Sequence, residues 1–373
     1  MKIKKDITKE TFVLLGILIA YFSYMIHIMG VSNMFNTMMN TAHDLIINTV
    51  LYIMGIAVLS GAMGSFLSEF GIIALINKII SPVMRPLYRL PGASALCVMT
   101  TFLSDNPAVI ALADDEGFRK YFARHELPCL CNLGTAFGMG LVVWTFMSSV
   151  GHGFMKAASI GLLGAVVGSI ISVRLMSYFT KKHFGDTSIK SPSSKALTTR
   201  RIRPGSYFQR GLDALLEGGK NGVDMGISII PGVVIICTLV MMLTYEAPVG
   251  GYTGGAYEGV GLLPKVGAYL MPVLKPLLGF QSAQAIAFPI TALGAVGAAI
   301  SMVPKLLAEG HINANDIAVF TALGMCWSGY LSTHIAMMDA LNESELAPKA
   351  ILSHTIGGLC AGISAHFLFL LFT

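Results

Sequence analysis

Long apolar runs separated by short polar segments make up most of the chain. A helix needs about 20 apolar residues to cross the roughly 30 Å hydrocarbon layer of a membrane. Six runs approach or exceed this length: residues 11–29, 46–67, 133–147, 157–179, 225–243 and 351–372. The pattern therefore predicts an all-α polytopic membrane protein, with the lipid bilayer as its first partner.

The composition supports this prediction and argues against a soluble protein, an enzyme or a metal-binding protein. Of the 373 residues, 54% are hydrophobic and 12% are charged, whereas ordinary soluble domains carry about 25% charged residues. The chain has no G-x-S-x-G, H-E-x-x-H or P-loop motif, so we expect no enzyme activity and no catalytic residues. The six cysteines lack the spacing of metal ligands, so we expect no metal site and no resident cofactor.

Three short motifs occur twice in the same order, which indicates an internal repeat. The matched pairs are residues 54–61 with 225–232, 82–87 with 272–277, and 135–139 with 321–325. A G-x-x-x-G spacing near the end of each copy, at 164–168 and 358–362, predicts close helix packing. The predicted units are an N-terminal cytoplasmic tail and transmembrane helix (1–40), a first repeat (41–180), a basic cytoplasmic linker (181–210) and a second repeat (211–373).

The distribution of Lys and Arg predicts the orientation in the membrane, because cytoplasmic segments are enriched in both. Residues 1–10 and 181–210 are basic, whereas residues 30–43 contain neither type and are predicted to be an external loop. Four crossings then fit between the N-terminus and the linker: 11–29, 46–67, 126–149 and 153–179. Binding of anionic lipid or of nucleic acid by the linker is the less favoured alternative, and we expect no nucleic-acid partner.

A polar interruption, Ser-Asp-Asn-Pro at residues 104–107, divides the apolar segment 92–113. A full crossing here would carry the basic linker outside, against the charge distribution. The segment is therefore predicted to enter from the cytoplasm, turn and return as a re-entrant hairpin. Each repeat then has three transmembrane helices plus a hairpin, and the odd number of crossings inverts the second copy. The second hairpin is predicted within 282–309, with Pro289 or residues 294–297 as the break.

These features resemble the nucleoside-recognition or gate-domain membrane proteins, with more distant similarity to ethanolamine permeases and concentrative nucleoside carriers. The resemblance covers residues 45–373. It rests on the Pro-flanked elbows at 82–87 and 272–277, the polar hairpin and the glycine-rich final helices. It implies two inverted gate repeats. It leaves the substrate open, because no set of residues that would read a base or a ribose is found.

Polar side chains inside apolar segments are the candidate binding residues, because an Asp at the membrane centre costs about 3 kcal/mol. Asp105 either contacts a solute or ion or caps the returning half-helix. The Ser and Thr candidates also have a structural alternative, a hydrogen bond to their own helix. The candidate substrate- or ion-binding residues are Ser104, Asp105, Asn106, Asn132, Thr135, Ser328, Thr333 and His334.

Inverted repeats with interrupted helices are typical of secondary transporters, whose sites lie near the membrane midplane. We therefore predict a permease for a small polar solute such as a nucleoside or an amine, working by alternating access around the paired hairpins. H⁺ and Na⁺ are candidate coupling ions, and His334 is a candidate proton relay. The alternative is a non-transporting membrane assembly or interaction protein. The predicted location is the bacterial cytoplasmic (inner) membrane, and a homo-oligomer is left open.

Overall fold

The structure, a computed structural model, describes residues 7–114, 116–185 and 202–373. These residues form helices joined by turns and contain no strand. Six described helical stretches are long and apolar enough to span a membrane, or up to seven if a bent pair counts as one span. The predicted class, an all-α multi-pass membrane protein, is confirmed. Residues 186–201 of the predicted basic linker lie outside the described residues.

The helices are numbered in chain order. Those before the linker are α1 (Lys9–Met29), α2 (Val31–Asp44), α3 (Leu51–Glu69), α4 (Ile72–Tyr88), α5 (Ser94–Leu103), α6 (Pro107–Asp114), α7 (Glu116–Arg119), α8 (Cys129–Thr135), α9 (Gly140–Ser149) and α10 (Phe154–Phe184). Those after it are α11 (Tyr207–Gly232), α12 (Thr238–Thr244), α13 (Leu262–Leu278), α14 (Ala287–Gly294), α15 (Val296–Ser301), α16 (Val303–Ala308), α17 (Ala314–Cys326), α18 (Tyr330–Ala340) and α19 (Ala347–Phe372).

The loop predicted at residues 30–43 is wrong, because most of this segment forms the helix α2; its external position stays a prediction. This helix continues through a π-helical turn, Leu45–Val50, into α3. Met34, Thr37 and Thr41 recur at helical spacing and are buried, so α2 is amphipathic. A search for long apolar runs misses such a helix because its outer face is polar. The predicted unit boundary between residues 40 and 41 therefore falls inside a helix.

The first predicted hairpin consists of α5 and α6, which are separated by residues 104–106. A Cβ placed on Gly134 would lie 2.9 Å from the Cβ of Val109 and 3.1 Å from the Sγ of Cys97. Both arms of the hairpin therefore lie against the same point of α8. Pro107 begins α6, where its missing N–H needs no partner.

The second hairpin consists of α14 and α15. Its break is Ala295, which has an extended backbone with φ −161° and ψ 115°. Phe288 of α14 and Val296 of α15 both lie next to Gly324 of α17. The predicted range 294–297 contains the break, whereas Pro289 as a break is wrong. Pro289 lies in the first turn of α14, where a missing N–H costs no helical hydrogen bond.

Two of the membrane-crossing segments are interrupted rather than continuous. The predicted crossing 126–149 is divided into α8 and α9 by residues 136–139, and Met139 has a left-handed backbone with φ 52°. Its counterpart in the second copy is divided into α17 and α18 by residues 327–329, where Gly329 has φ 60°. Apolar side chains on both sides of each break conceal it in the hydrophobic pattern.

Glycines set the spacing of the two longest helix contacts. In the contact of α3 with α11, Gly61 and Gly218 face each other so closely that a Cβ on either would overlap the backbone of the other. In the contact of α10 with α19, Gly168 faces Gly357 and Ala361. The G-x-x-x-G at 164–168 thus packs as predicted. The one at 358–362 instead lies against Trp327 and Leu323.

The segment 245–261, between α12 and α13, is ordered by hydrogen bonds. The carboxylate of Glu258 accepts from the backbone N–H groups of Thr253 (3.1 Å), Gly254 (3.0 Å) and Gly255 (3.0 Å). Burial acts to raise the pKa of Glu258, but the hydrogen bonds from Thr253 and the two glycines hold that pKa below its ordinary value. Tyr257 donates to Asp44 at 2.6 Å, which ties the segment to the end of α2.

Candidate functional site

A cavity of about 320 Å³ lies where both hairpin tips meet the breaks in the two interrupted helices. One wall is formed by the middle of the helical run Tyr207–Thr244, which is 38 residues long. The lining residues are Asp105, Asn106, Met139, Ser228, Ile229, Gly232, Ile236, residues 294–297, Ser328, Gly329, Ser332 and Thr333. Elements far apart in sequence thus converge on one space.

Asn106 joins the first hairpin tip to both helix breaks. Its Nδ2 donates to the Oγ of Ser328 at 3.2 Å, and its side chain is buried. A Cβ added to Gly138 or to Gly329 would overlap the Asn106 amide, so the side chain is held between two glycines. Its Oδ1 is buried with no hydrogen-bond partner in the described chain. An unsatisfied buried acceptor costs about 1–3 kcal/mol, which a bound donor or cation would offset.

Asp105 faces the same cavity and is only partly buried. Its Oδ1 accepts the backbone N–H of Asn106 at 2.7 Å, the residue that immediately precedes α6. No residue that lines the cavity is Lys, Arg or His. Asp105 thus lines the cavity, and its contact with a solute or ion stays a prediction.

Hydroxyl groups form the rest of the polar lining. Ser228 donates to the Met225 carbonyl at 2.6 Å, and Ser332 donates to the Gly329 carbonyl at 3.3 Å. A hydroxyl that donates to its own helix keeps its oxygen lone pairs available as acceptors. These two serines therefore offer acceptor groups in the same cavity as the carboxylate of Asp105, and the hydroxyls of Ser328 and Thr333 complete the polar lining.

Ser104 lies on the other side of the first hairpin tip. It lines a second cavity of about 290 Å³ between α3, α5 and α11, together with Ser65, Ser68 and Asn221. The two cavities share no lining residue. The tip at residues 104–106 thus separates two spaces, with Ser104 on one side and Asp105 and Asn106 on the other.

Asn132 and Thr135 do not line either cavity. The Nδ2 of Asn132 donates to the Oγ of Ser172 at 3.0 Å and to the Ala350 carbonyl at 2.9 Å. Thr135 donates to the Cys131 carbonyl of its own helix at 2.7 Å. Asn132 therefore ties α8 to α10 and α19, whereas Thr135 bonds within α8.

His334 is buried behind the cavity, one residue beyond Thr333. Its Nδ1 lies 2.5 Å from the Tyr330 carbonyl, and its ring centre lies 4.7 Å from that of His354. His354 contacts the Oγ of Ser172 at 3.1 Å. The Nε2 of His334 has no hydrogen-bond partner in the described chain. Of the eight candidate residues, the structure brings Asp105, Asn106, Ser328 and Thr333 to one cavity.

Sequence reasoning missed Ser228 and Met139 as lining residues, and it considered Ser332 only as one of the polar residues after Trp327. Ser228 lies within the repeated motif 225–232, and Ser332 lies between two residues of the polar run after Trp327. Their positions carried a signal, but a single Ser in an apolar helix is ordinarily structural. Only the convergence of the hairpin tips in space distinguishes them.

No protein-family profile matches the chain. A curated relative, "Uncharacterized protein YjiH" of Escherichia coli (strain K12), is 27% identical over 139 residues, which is 36% of this chain. The alignment spans about half, 55%, of that protein.

Solved structures of CNTnw, a concentrative nucleoside transporter, are similar in fold. An outward-facing variant matches with TM-score 0.54 at 15% identity, over 86% of this chain and 75% of that one. The inward-facing substrate-bound state gives TM-score 0.54 at 15% identity, over 87% and 75%. A variant in an intermediate state gives 0.56 at 16% identity, over 85% and 76%. The chain therefore has a fold similar to that of a transporter solved in several conformational states.

Proposed function

We propose that this protein is a secondary transporter for a small polar solute, with the 320 Å³ cavity as its binding site. The convergence of two hairpin tips and two helix breaks on that cavity carries the proposal. Broken helices are tolerated at membrane depth where they line a cavity, and this is the construction of known transporter sites.

Alternating access around the hairpins is the proposed mechanism. The tip at residues 104–106 separates the cavity at Asp105 from the one at Ser104. A movement of this tip relative to α11 would open the binding cavity toward the second space. H⁺ and Na⁺ remain candidate coupling ions, since the cavity holds one carboxylate and the buried His334 lies behind it.

The proposed setting is a bacterial cytoplasmic membrane, with the N-terminus in the cytoplasm and the two repeats inverted with respect to each other. Basic residues support this orientation, because most Lys and Arg lie in the first half of the chain and at the linker. The units 41–180 and 211–373 are the proposed repeats, and a homo-oligomer is compatible with this arrangement.

Uptake by the full chain in proteoliposomes tests the function. We expect accumulation of at least one labelled solute from a panel of nucleosides, amines and polyols under an imposed H⁺ or Na⁺ gradient. Asp105→Asn should reduce that uptake at least about tenfold, since it removes the charge that faces the cavity. Asp224→Asn is the matched control, because Asp224 is exposed on α11 and does not line the cavity.

Absence of uptake across the panel, together with absence of any solute that stabilises the purified protein, would contradict the transport proposal. That result would favour the alternative function in membrane assembly. Uptake that is unchanged in a well-folded Asp105→Asn protein would keep transport but remove Asp105 from it.

A further inference from the structure

We infer that the solute is a small organic cation whose ammonium group carries N–H donors, a protonated primary or secondary amine, and that nucleosides are excluded. The inference rests on the proposed function and narrows its substrate to one chemical class. It follows from the charge, the donors and acceptors, and the apolar groups that line the 320 Å³ cavity.

The charge of the cavity is negative. Asp105 is the only ionisable residue in its lining, and the lining contains no cationic side chain to neutralise it. The starts of α9, α15 and α18 also line the cavity, and each carries a partial positive charge of at most about half an electron, smaller than the full charge of the carboxylate. The carboxylate of Asp105 therefore makes the cavity negative, and a cationic ligand would form an ion pair with it.

Part of the polar lining around Asp105 is left to accept hydrogen bonds. Ser228 and Ser332 each donate to a carbonyl of their own helix and keep oxygen lone pairs toward other partners. The Oδ1 of Asn106 is a buried acceptor without a partner in the described chain. A ligand with several N–H donors satisfies these acceptors, whereas an anion or a pure acceptor does not.

The apolar part of the lining has no aromatic ring. It consists of Met139, Ile229, Ile236, Ala295 and Val296. Protein sites for unpaired bases ordinarily stack them on aromatic side chains, a contact worth about 1–3 kcal/mol per base. Quaternary ammonium groups are likewise bound by aromatic cages. The aliphatic lining therefore disfavours nucleosides and fully methylated amines and fits a short alkyl chain.

The size of the cavity agrees with a small solute. Its volume of about 320 Å³ is at the lower end of the range of roughly 300–1,000 Å³ for small-molecule sites. A short amino alcohol is small enough for such a cavity and carries both an ammonium group and a hydroxyl.

Calorimetric binding to the full chain in lipid nanodiscs tests the inference with four probes. They are propanolamine, the diol in which a hydroxyl replaces its amino group, its trimethylated ammonium derivative, and uridine. We expect propanolamine to bind at least about tenfold more tightly than the other three, because a charge-assisted hydrogen bond is lost in each of them. This comparison uses the unmodified protein and does not depend on the folding of any variant.

Variants of Asp105 test whether this residue causes the preference for propanolamine. Asp105→Asn should abolish the preference for propanolamine over the diol, and Asp105→Glu should keep part of it because the charge remains. Asp224→Asn should leave the preference unchanged, since this exposed acid does not line the cavity.

Each outcome separates this inference from the proposed function. Tighter binding or uptake of uridine, or of the diol, would overturn the amine inference while the transport function stands. Binding of propanolamine that Asp105→Asn does not weaken would also overturn it. If no probe binds and no solute of the wider panel is taken up, the transport proposal fails as well.

Discussion

Asn106 is the residue on which the geometry of the site depends most. Its amide occupies the space between Gly138 and Gly329, one at each helix break, and bonds to Ser328. We expect Gly138→Ala to displace Asn106 and to lower the free energy of unfolding by about 1–3 kcal/mol, because the added methyl group overfills a packed position. Thermal unfolding of the purified protein, combined with solute binding, measures both effects.

The control for this change is Gly55→Ala. Gly55 lies in α3, and a Cβ there would meet nothing within 4 Å. Ala is the better helix former, so this variant should be neutral or more stable by up to about 1 kcal/mol. Equal behaviour of the two variants would show that the site tolerates movement of Asn106.

Part of the site is visible from single residues and part is not. Asp105 and Asn106 stand out because polar residues inside an apolar segment are costly. Ser228 does not stand out, because its role depends on a hairpin tip almost seventy residues away in the chain. Thr135 looks similar to Thr333 in the sequence, yet its hydroxyl bonds to its own helix. Spacing along one helix cannot distinguish these cases.

At the scale of the element, the contact between α3 and α11 offers a matched pair of glycines. A Cβ on Gly222 would overlap the backbone of Ala57 and Val58, whereas a Cβ on Gly219 would lie 3.5 Å from a Val58 methyl group. Gly222→Ala should therefore destabilise the protein by about 1–3 kcal/mol, since backbone cannot move aside easily. Gly219→Ala should be neutral or stabilising by up to about 1 kcal/mol.

Thermal melts of the two variants in the same detergent make the comparison. If Gly222→Ala melts with or above Gly219→Ala, the close contact of α3 with α11 is wrong. The pair is informative because both glycines lie on one helix and differ by less than one turn.

The C-terminal end of α3 and the N-terminal end of α11 are joined by an ion triad. Glu69 accepts from Arg203 at 2.7 Å and from Arg210 at 2.8 Å, and its side chain is 3% exposed. We expect Glu69→Gln to lower the melting temperature clearly, because two guanidinium groups lose their shared carboxylate. Glu217→Gln is the control, since this side chain is 60% exposed and bonds only to Arg203.

A melting temperature that falls as much in Glu217→Gln as in Glu69→Gln would contradict this view of the triad. An exposed pair contributes little because water screens it. The difference between the two melting temperatures therefore measures how much the buried carboxylate of Glu69 stabilises the contact between the ends of α3 and α11.

Helices made of continuous apolar runs and the hairpin break at residues 104–107 could be predicted from the sequence, whereas the amphipathic α2 and the apolar breaks in the two interrupted helices could not. The runs that became α1, α10 and α19 are continuous and apolar, so length alone identifies them. α2 was missed because its Met and Thr residues are buried on only one face. Residues 136–139 carry no polar side chain, and glycine is frequent in continuous membrane helices, so the sequence does not reveal the break there.

At the scale of the whole molecule, helices that carry matched sequence motifs contact each other. α3 carries the motif 54–61 and packs against α11, which carries 225–232. α10 and α19, the last helices of the two copies, also pack together through small residues. Contacts between equivalent elements are expected around a twofold axis, and they support the proposal of two related repeats.

Labelling of cysteines tests whether the two copies are inverted. Lys78 on α4 and Lys265 on α13 lie in the Pro-flanked elbow helices of the first and second copy, and both are exposed. Inversion places these equivalent helices on opposite sides of the membrane. We expect a membrane-impermeant maleimide to label Lys265→Cys in intact cells and Lys78→Cys only after permeabilisation. Labelling of both from the same side would contradict the inverted arrangement and would leave the two hairpins entering from one face. The unmodified chain, whose described cysteines are buried except for the half-buried Cys360, gives the background.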